Sequence, residues 1–160
     1  MENDKNSNQN SIPQPENACN TLSEIIQSRR KYRSLLFHIL YAVDALNYET
    51  TAQSVAEKLN EEYEVDIDDS IISSVQEIAQ QRQTLDEALI PHLQNWKFER
   101  IGKCTLLVLR YAIWEMLNTD TPHNIIINEA VELAKCFSEK DAYKFVNGIL
   151  DKISTQNNSE

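Results

Sequence analysis

An all-α bundle is the fold class predicted for this chain, and three observations predict it. Apolar residues recur at helical spacing along almost the whole sequence, and no segment calls for a strand. Only two glycines and four prolines occur in 160 residues, too little turn material for a β-sandwich or a Gly-rich nucleotide-binding fold. The stretch Arg100–Leu117 is apolar on most sides, which suits a helix at the centre of a bundle.

The elements follow in order. Residues 1–26 are rich in Asn, Ser, Gln and Pro with almost nothing to bury, so ordering them is not offset, and a disordered polar tail is predicted. A first helix is expected from Gln27 or Ser28 to Leu46, with Leu36, Ile39, Leu40, Val43 and Leu46 as its buried stripe. A second, Thr51–Tyr63, turns Ala52, Val55, Ala56 and Leu59 to one side. An acidic connection follows, and Asp69 or Ser70 is placed to cap the next helix. That third helix is predicted long, keeping its period through Ile72, Val75, Ile78, Ala79, Arg82, Leu85 and Leu89 until Pro91 kinks or stops it. After the central helix, Thr121 as N-cap and Pro122 at the first helical position open a fifth helix. Its stripe is Ile127, Ala130, Val131, Ala134 and Phe137. A last helix, Asp141–Ile153, buries Ala142, Phe145 or Val146, Ile149 and Ile153, and a flexible end is expected over 154–160.

Bulk properties narrow the function classes. The apolar set at 41% and charged set at 25% describe one soluble domain with a real core. A formal charge of −10 opposes nonspecific coating of DNA or of an anionic membrane, yet leaves room for a local basic patch and suits a basic protein partner. Cys19, Cys104 and Cys136 are odd in number and far apart, so no disulfide framework is implied. No apolar run approaches the roughly 20 residues of a membrane span, and the polar N-terminus is unlike a secretory signal. A cytoplasmic location is the expectation.

Catalytic chemistry finds no foothold. His38, His92 and His123 lie on different segments without metal-ligand spacing, so no metal is expected. Cys104 falls on the central helix, where a buried inert thiol is expected. No phosphate-binding Gly-rich loop exists, and the carboxylates cluster where solvated charge is the plain reading. No enzyme and no cofactor are predicted.

One local feature opposes the global charge. Arg29, Arg30, Lys31 and Arg33 put four cations in five residues at the expected start of the first helix. A solvated helix end accounts for them as readily as a phosphate grip does. Cations are poorly placed at a helix N-terminus for stability, and Tyr32 beside them is available to stack on a base. Gly148 is the second departure: a glycine inside a helix costs ~1 kcal/mol relative to alanine. Close approach of another backbone, that of the central helix, is the expected reason. Asn124, Asn128 and Glu132 share the polar face of the fifth helix, while Glu129 at its border either bridges to a neighbour or is solvated.

Four stretches, in order, resemble the NusB family of transcription antitermination factors. They are Arg29-Arg30-Lys31-Tyr32-Arg33 leading to Leu40-Tyr41; Trp96, Arg100-Ile101 and Leu109–Met116; Pro122–Phe137; and Lys144–Ile153. The resemblance spans about residues 28–153. It implies two packed helical subdomains, a three-helix and a four-helix bundle, over 27–95 and 96–153 within one domain, with a short extra helix around Pro91–Phe98. It further implies binding of boxA-type single-stranded RNA in ribosomal RNA transcripts, as a heterodimer with the ribosomal protein NusE, within the RNA polymerase antitermination complex. Carried over by position, Arg29, Arg30, Lys31, Arg33, Asp141, Lys144 and Phe145 are the implied RNA contacts. Tyr41, Glu99 and Thr105 are the implied partner contacts, and Thr105 stands where the family has an acidic residue. Some relatives form homodimers. An alternative reading is a stand-alone RNA-binding or scaffold domain like the N-terminal domain of ribosomal RNA cytosine methyltransferases; with no methyl-donor domain before Glu160, catalysis is not expected of it.

Overall fold

Helical spacing becomes helix wherever the sequence carries it. The computed structural model describes residues 22–157, and within them seven α-helices and no strand occur. Helix α1 (Leu22–Ala45) starts more than a turn before the expected Gln27, since Leu22, Ile25 and Ile26 continue the apolar spacing upstream. Residues 1–21 of the expected tail, with Cys19, and 158–160 of the expected flexible end lie outside the described residues. The helix stops at Ala45 because Asn47 and Tyr48 turn left-handed, at φ 53° and 61°. Leu46 is therefore 51% exposed rather than the last member of the stripe.

Helix α2 (Ala52–Tyr63) is capped by Thr51, whose hydroxyl accepts the Ser54 N–H at 3.1 Å, and Glu64 at φ 53° closes it. Asp68, one residue before the expected caps Asp69 and Ser70, caps α3 (Asp69–Gln80) by accepting the Ser70 N–H at 2.7 Å. The single long helix expected here is two. At Gln81, with φ −88° and ψ 4°, the axis breaks and α4 (Arg82–Leu89) begins. Pro91 ends α4 in a single 3-10 turn, Ile90–His92, and another follows at Phe98–Arg100; these occupy the place of the expected short helix. The seventh helix is thus α4, created by the break.

Helix α5 (Lys103–Asn118) is buried continuously from Leu107 to Met116. Helix α6 (His123–Phe137) has Pro122, not Thr121, at its N-cap, and the Thr121 N–H bonds instead to the Thr119 hydroxyl at 3.3 Å. On α6, Ile126 and Leu133 join the core while Val131 and Phe137 stay half-buried. Helix α7 (Ala142–Asn157) runs past Ile153 into the segment expected to be flexible. Its core face is Val146, Ile149, Leu150 and Ile153, with Ala142 and Phe145 half-buried.

Helices α1, α2 and α3 pack on one another, and α4, α6 and α7 each pack on α5. Contacts of α1 and α3 with α5 join the two sets. A polar joint closes where α1, α4 and α5 meet. Arg110 donates two hydrogen bonds to Asp86, both 2.7 Å, and a third to the Tyr48 hydroxyl at 3.2 Å. Tyr48 in turn donates to Asp44 at 2.7 Å, and Lys103 pairs with Asp44 at 3.0 Å.

The two glycines reverse the expectation. Gly148 is exposed, and a Cβ built there meets nothing within 4 Å, so no backbone approaches it. Gly102 is the crowded one: its Cβ would collide with the Glu139 carboxylate. Among the described residues no helix is long and apolar enough to cross a membrane.

Candidate functional site

Because α1 begins at Leu22, the cationic cluster lies about two turns inside the helix, beyond the reach of its N-terminal dipole. The four side chains diverge around the axis. Arg29, Arg30 and Lys31 are exposed. Arg33 shares the buried stripe with Leu36, Phe37 and Leu40, at spacings of three, four and seven residues, and is only 6% exposed. Its Nη2 donates to Glu115 Oε1 of α5 at 3.1 Å. Arg33 is therefore a largely buried residue committed to Glu115 and not a free phosphate ligand, although it borders the grooves on either side of α1. Burial pushes the Glu115 carboxyl above its usual range, while the charge and hydrogen bond of Arg33 pull it back.

Two grooves flank the exposed cations. Between α1 and α6, Arg30 and Lys31 border a cavity of about 300 Å³ opposite Glu129, Leu133 and Cys136. On the other side, Arg29 and Tyr32 border one of about 560 Å³ against Asp120, Thr121 and Pro122. Tyr32 is not a free stacking ring: it is half-buried, and its hydroxyl shares a hydrogen bond with Ser70 at 3.1 Å. Glu129 is half-buried in the first groove, Glu132 pairs with Lys135 at 3.1 Å, and Asn124 and Asn128 are exposed.

A second cluster forms where α6 turns into α7. Asp141 is exposed at φ 66°, pairs with Lys144 at 3.3 Å, and makes the corner without glycine. Phe145, half-buried, lies against Trp96 with ring centroids 5.3 Å apart. Around them Arg100, Thr105, Glu139 and Lys140 border a cavity of about 460 Å³. The α1 cations do not line it, so the implied RNA residues are shared between different grooves. On α6, Phe137 stacks on Phe37 at 4.7 Å and Lys135 lies over the Tyr143 ring at 5.2 Å.

The implied partner residues differ in exposure. Tyr41 is 42% exposed on α1, and Glu99 is exposed in the 3-10 turn beside the second cluster. Thr105 is 3% exposed, and its hydroxyl donates to Glu139 at 3.0 Å. That hydroxyl holds the Glu139 carboxylate at the groove which both residues border. Gly102 leaves the room for that carboxylate. Sequence reasoning named Trp96 only within a resembling stretch and gave neither it nor Glu139 a place in the site. A tryptophan followed by Lys97 and Arg100 in a polar connection was the available signal.

Among the described residues no group of three or more His, Cys, Asp and Glu converges as metal ligands. Cys104 is half-buried, and burial, followed by the charge of Glu139, pushes its thiol up, away from the reactive thiolate.

Comparison with known proteins gives a consistent result. The model of the NusB family matches residues 30–155. The transcription antitermination protein NusB of Staphylococcus epidermidis is 38% identical over 128 residues, 79% of this chain and 98% of that protein. Its counterpart in Oceanobacillus iheyensis is 38% identical over 127 residues, again 79% and 98%. Among solved structures, T. maritima NusB matches with a TM-score of 0.68 at 27% identity, over 80% of this chain and 91% of that one. A chain in the crystal structure of a plectonemic RNA supercoil shares the fold, with a TM-score of 0.69 at 23% identity over 82% and 97%.

Proposed function

This chain belongs to the NusB family, and from that premise we propose that it binds boxA-type RNA of ribosomal RNA transcripts together with NusE and sustains their transcription. Its relatives are named as transcription antitermination proteins, not enzymes, and that role carries over to this chain. The action takes place in the cytoplasm, on the elongating RNA polymerase. Arg29, Arg30 and Lys31 hold the RNA backbone from α1, and Lys144 with Phe145 holds it from α7. Asp141 sets the corner from which Lys144 projects. Arg33 acts from inside, fixing α1 to α5 through Glu115.

The observation that carries this reading is the exposure of Arg29, Arg30 and Lys31 in a protein of net charge −10. Among the described residues none of the three is tied up by a carboxylate, while Arg33 beside them is, so the exposed cations remain free for phosphate. For NusE, Tyr41 and Glu99 offer an exposed surface, and the carboxylate expected at 105 is supplied by Glu139. An acidic body suits a basic partner.

Fluorescence anisotropy with a short single-stranded boxA-type RNA tests the proposal, with and without NusE. The expected result is weak binding alone and tighter binding with NusE, lost when Arg29, Arg30 and Lys31 are all replaced by alanine. Parent-like affinity in that triple variant would remove the patch from the RNA site. Equal RNA affinity with and without NusE would remove the heterodimer.

A further inference from the structure

Trp96 is 57% exposed, the more conspicuous because the other tryptophan, Trp114, is 8% exposed. It lies in the connection between the two 3-10 turns, where Gln94 adopts φ 49°. Trp96 and Phe145 together form the wall between two cavities, one being the groove of about 460 Å³ described above. The other, of about 250 Å³, differs in composition from the three grooves already described. Its floor is Gly148, its rim carries Lys144 and Lys152, its wall opposite includes the amides of Gln94 and Asn95, and among the described residues no carboxylate lines it. Lys144 is shared with Asp141, which lies outside the lining at 3.3 Å, while Lys152 has no carboxylate partner among the described residues; in so acidic a chain such a lining favours an anionic occupant.

Gly148 supplies an independent observation. It lies inside α7, away from both ends, where glycine weakens a helix, and no internal neighbour comes within 4 Å of where its side chain would be. The fold does not need a glycine there. Glycine at 148 leaves that stretch of the groove lining without a side chain.

We propose that this groove receives a single unstacked base of the bound RNA, seated over Gly148 against the Trp96 ring. The proposal rests on the RNA-binding reading above and adds to it the base-holding site. Aromatic faces hold bases of single-stranded RNA by stacking, and side-chain amides read base edges. Lys144 and Lys152 meet the flanking phosphates. A cationic rim of this kind disfavours a basic protein as the occupant.

The test uses the full chain with NusE and a fluorescein-labelled single-stranded boxA-type RNA. Gly148→Ala and Trp96→Leu are each expected to weaken binding on the order of tenfold. Neither substitution should lower the melting temperature, since 148 is open and Trp96 is exposed. RNA should quench the parent's tryptophan fluorescence, and the quenching should vanish in Trp96→Leu, where only buried Trp114 remains. Parent-like RNA affinity in Gly148→Ala and Trp96→Leu, beside a loss in the triple variant of Arg29, Arg30 and Lys31, would overturn the base site and leave the RNA reading standing. Failure of the parent to bind RNA at all would remove both. Weakened NusE pairing with unchanged RNA affinity would assign the groove to the protein partner and overturn the proposal.

Discussion

Arg33 of α1 and Glu115 of α5 face each other inside the core, with Nη2 and Oε1 3.1 Å apart and side chains 8% and 12% exposed. Each charge is tolerable there only because of the other. Removing one partner leaves the second buried and unpaired, which costs about 3–5 kcal/mol. Arg33→Ala is therefore expected to lower unfolding free energy by about that amount in urea titration. The double replacement Arg33→Met with Glu115→Leu should recover most of it, because apolar residues of similar volume take the space without desolvating a charge. A loss in the double variant as large as in the single one would deny the pair its role.

The exposed neighbours behave oppositely. Replacing Arg29, Arg30 and Lys31 by alanine should change unfolding free energy by less than about 0.5 kcal/mol, as surface substitutions do. Its effect belongs in the salt dependence of RNA binding. For every phosphate of the single strand that the variant no longer neutralises, the slope of log affinity against log salt should flatten by about 0.7. An unchanged slope would mean these cations touch no phosphate.

The contrast between Arg33 and its neighbours marks how far residue pattern alone reaches. Helix α5 was legible because it is apolar on most sides, and Pro91 announced the end of α4 through a missing donor. The break at Gln81 was not legible. Ile78, Leu85 and Leu89 remain fully buried across it, so the apolar period continues while the axis changes. For Arg33 the clue was positional: it sits three and four residues before Leu36 and Phe37, on their stripe. Composition counted it with the surface cations, and only a fold that brings Glu115 opposite it distinguishes the two cases. Glu139 was illegible for a similar reason, since its place depends on room at Gly102 and a hydroxyl at Thr105, both distant in sequence.

Gly148 was conspicuous from the start, but its explanation was inverted. With nothing within 4 Å of an added Cβ, alanine should gain helix propensity and meet no clash. Gly148→Ala is expected to raise unfolding free energy by ~1 kcal/mol, read as a higher denaturation midpoint. Destabilisation instead would mean that a neighbour approaches this face after all.

Tyr48 links stability to alkaline pH. Burial first, and then its hydrogen bond to Asp44, push the phenol up to about 12 from the ordinary value of 10.0. A raised folded-state value means that the folded protein keeps a proton the unfolded chain releases. The contribution is fully present below pH 10 and is lost as pH rises from 10 through 12. The same sign applies to Tyr111, raised further by burial and then by the charge of Glu115. Melting temperature should therefore fall steeply above pH 10 in the parent and less steeply in Tyr48→Phe, which has no proton to lose there. The phenylalanine variant should start lower at neutral pH, because the bonds from Arg110 at 3.2 Å and to Asp44 at 2.7 Å are gone. Parallel profiles for parent and variant would show that the Tyr48 proton is not coupled to the joint of α1, α4 and α5.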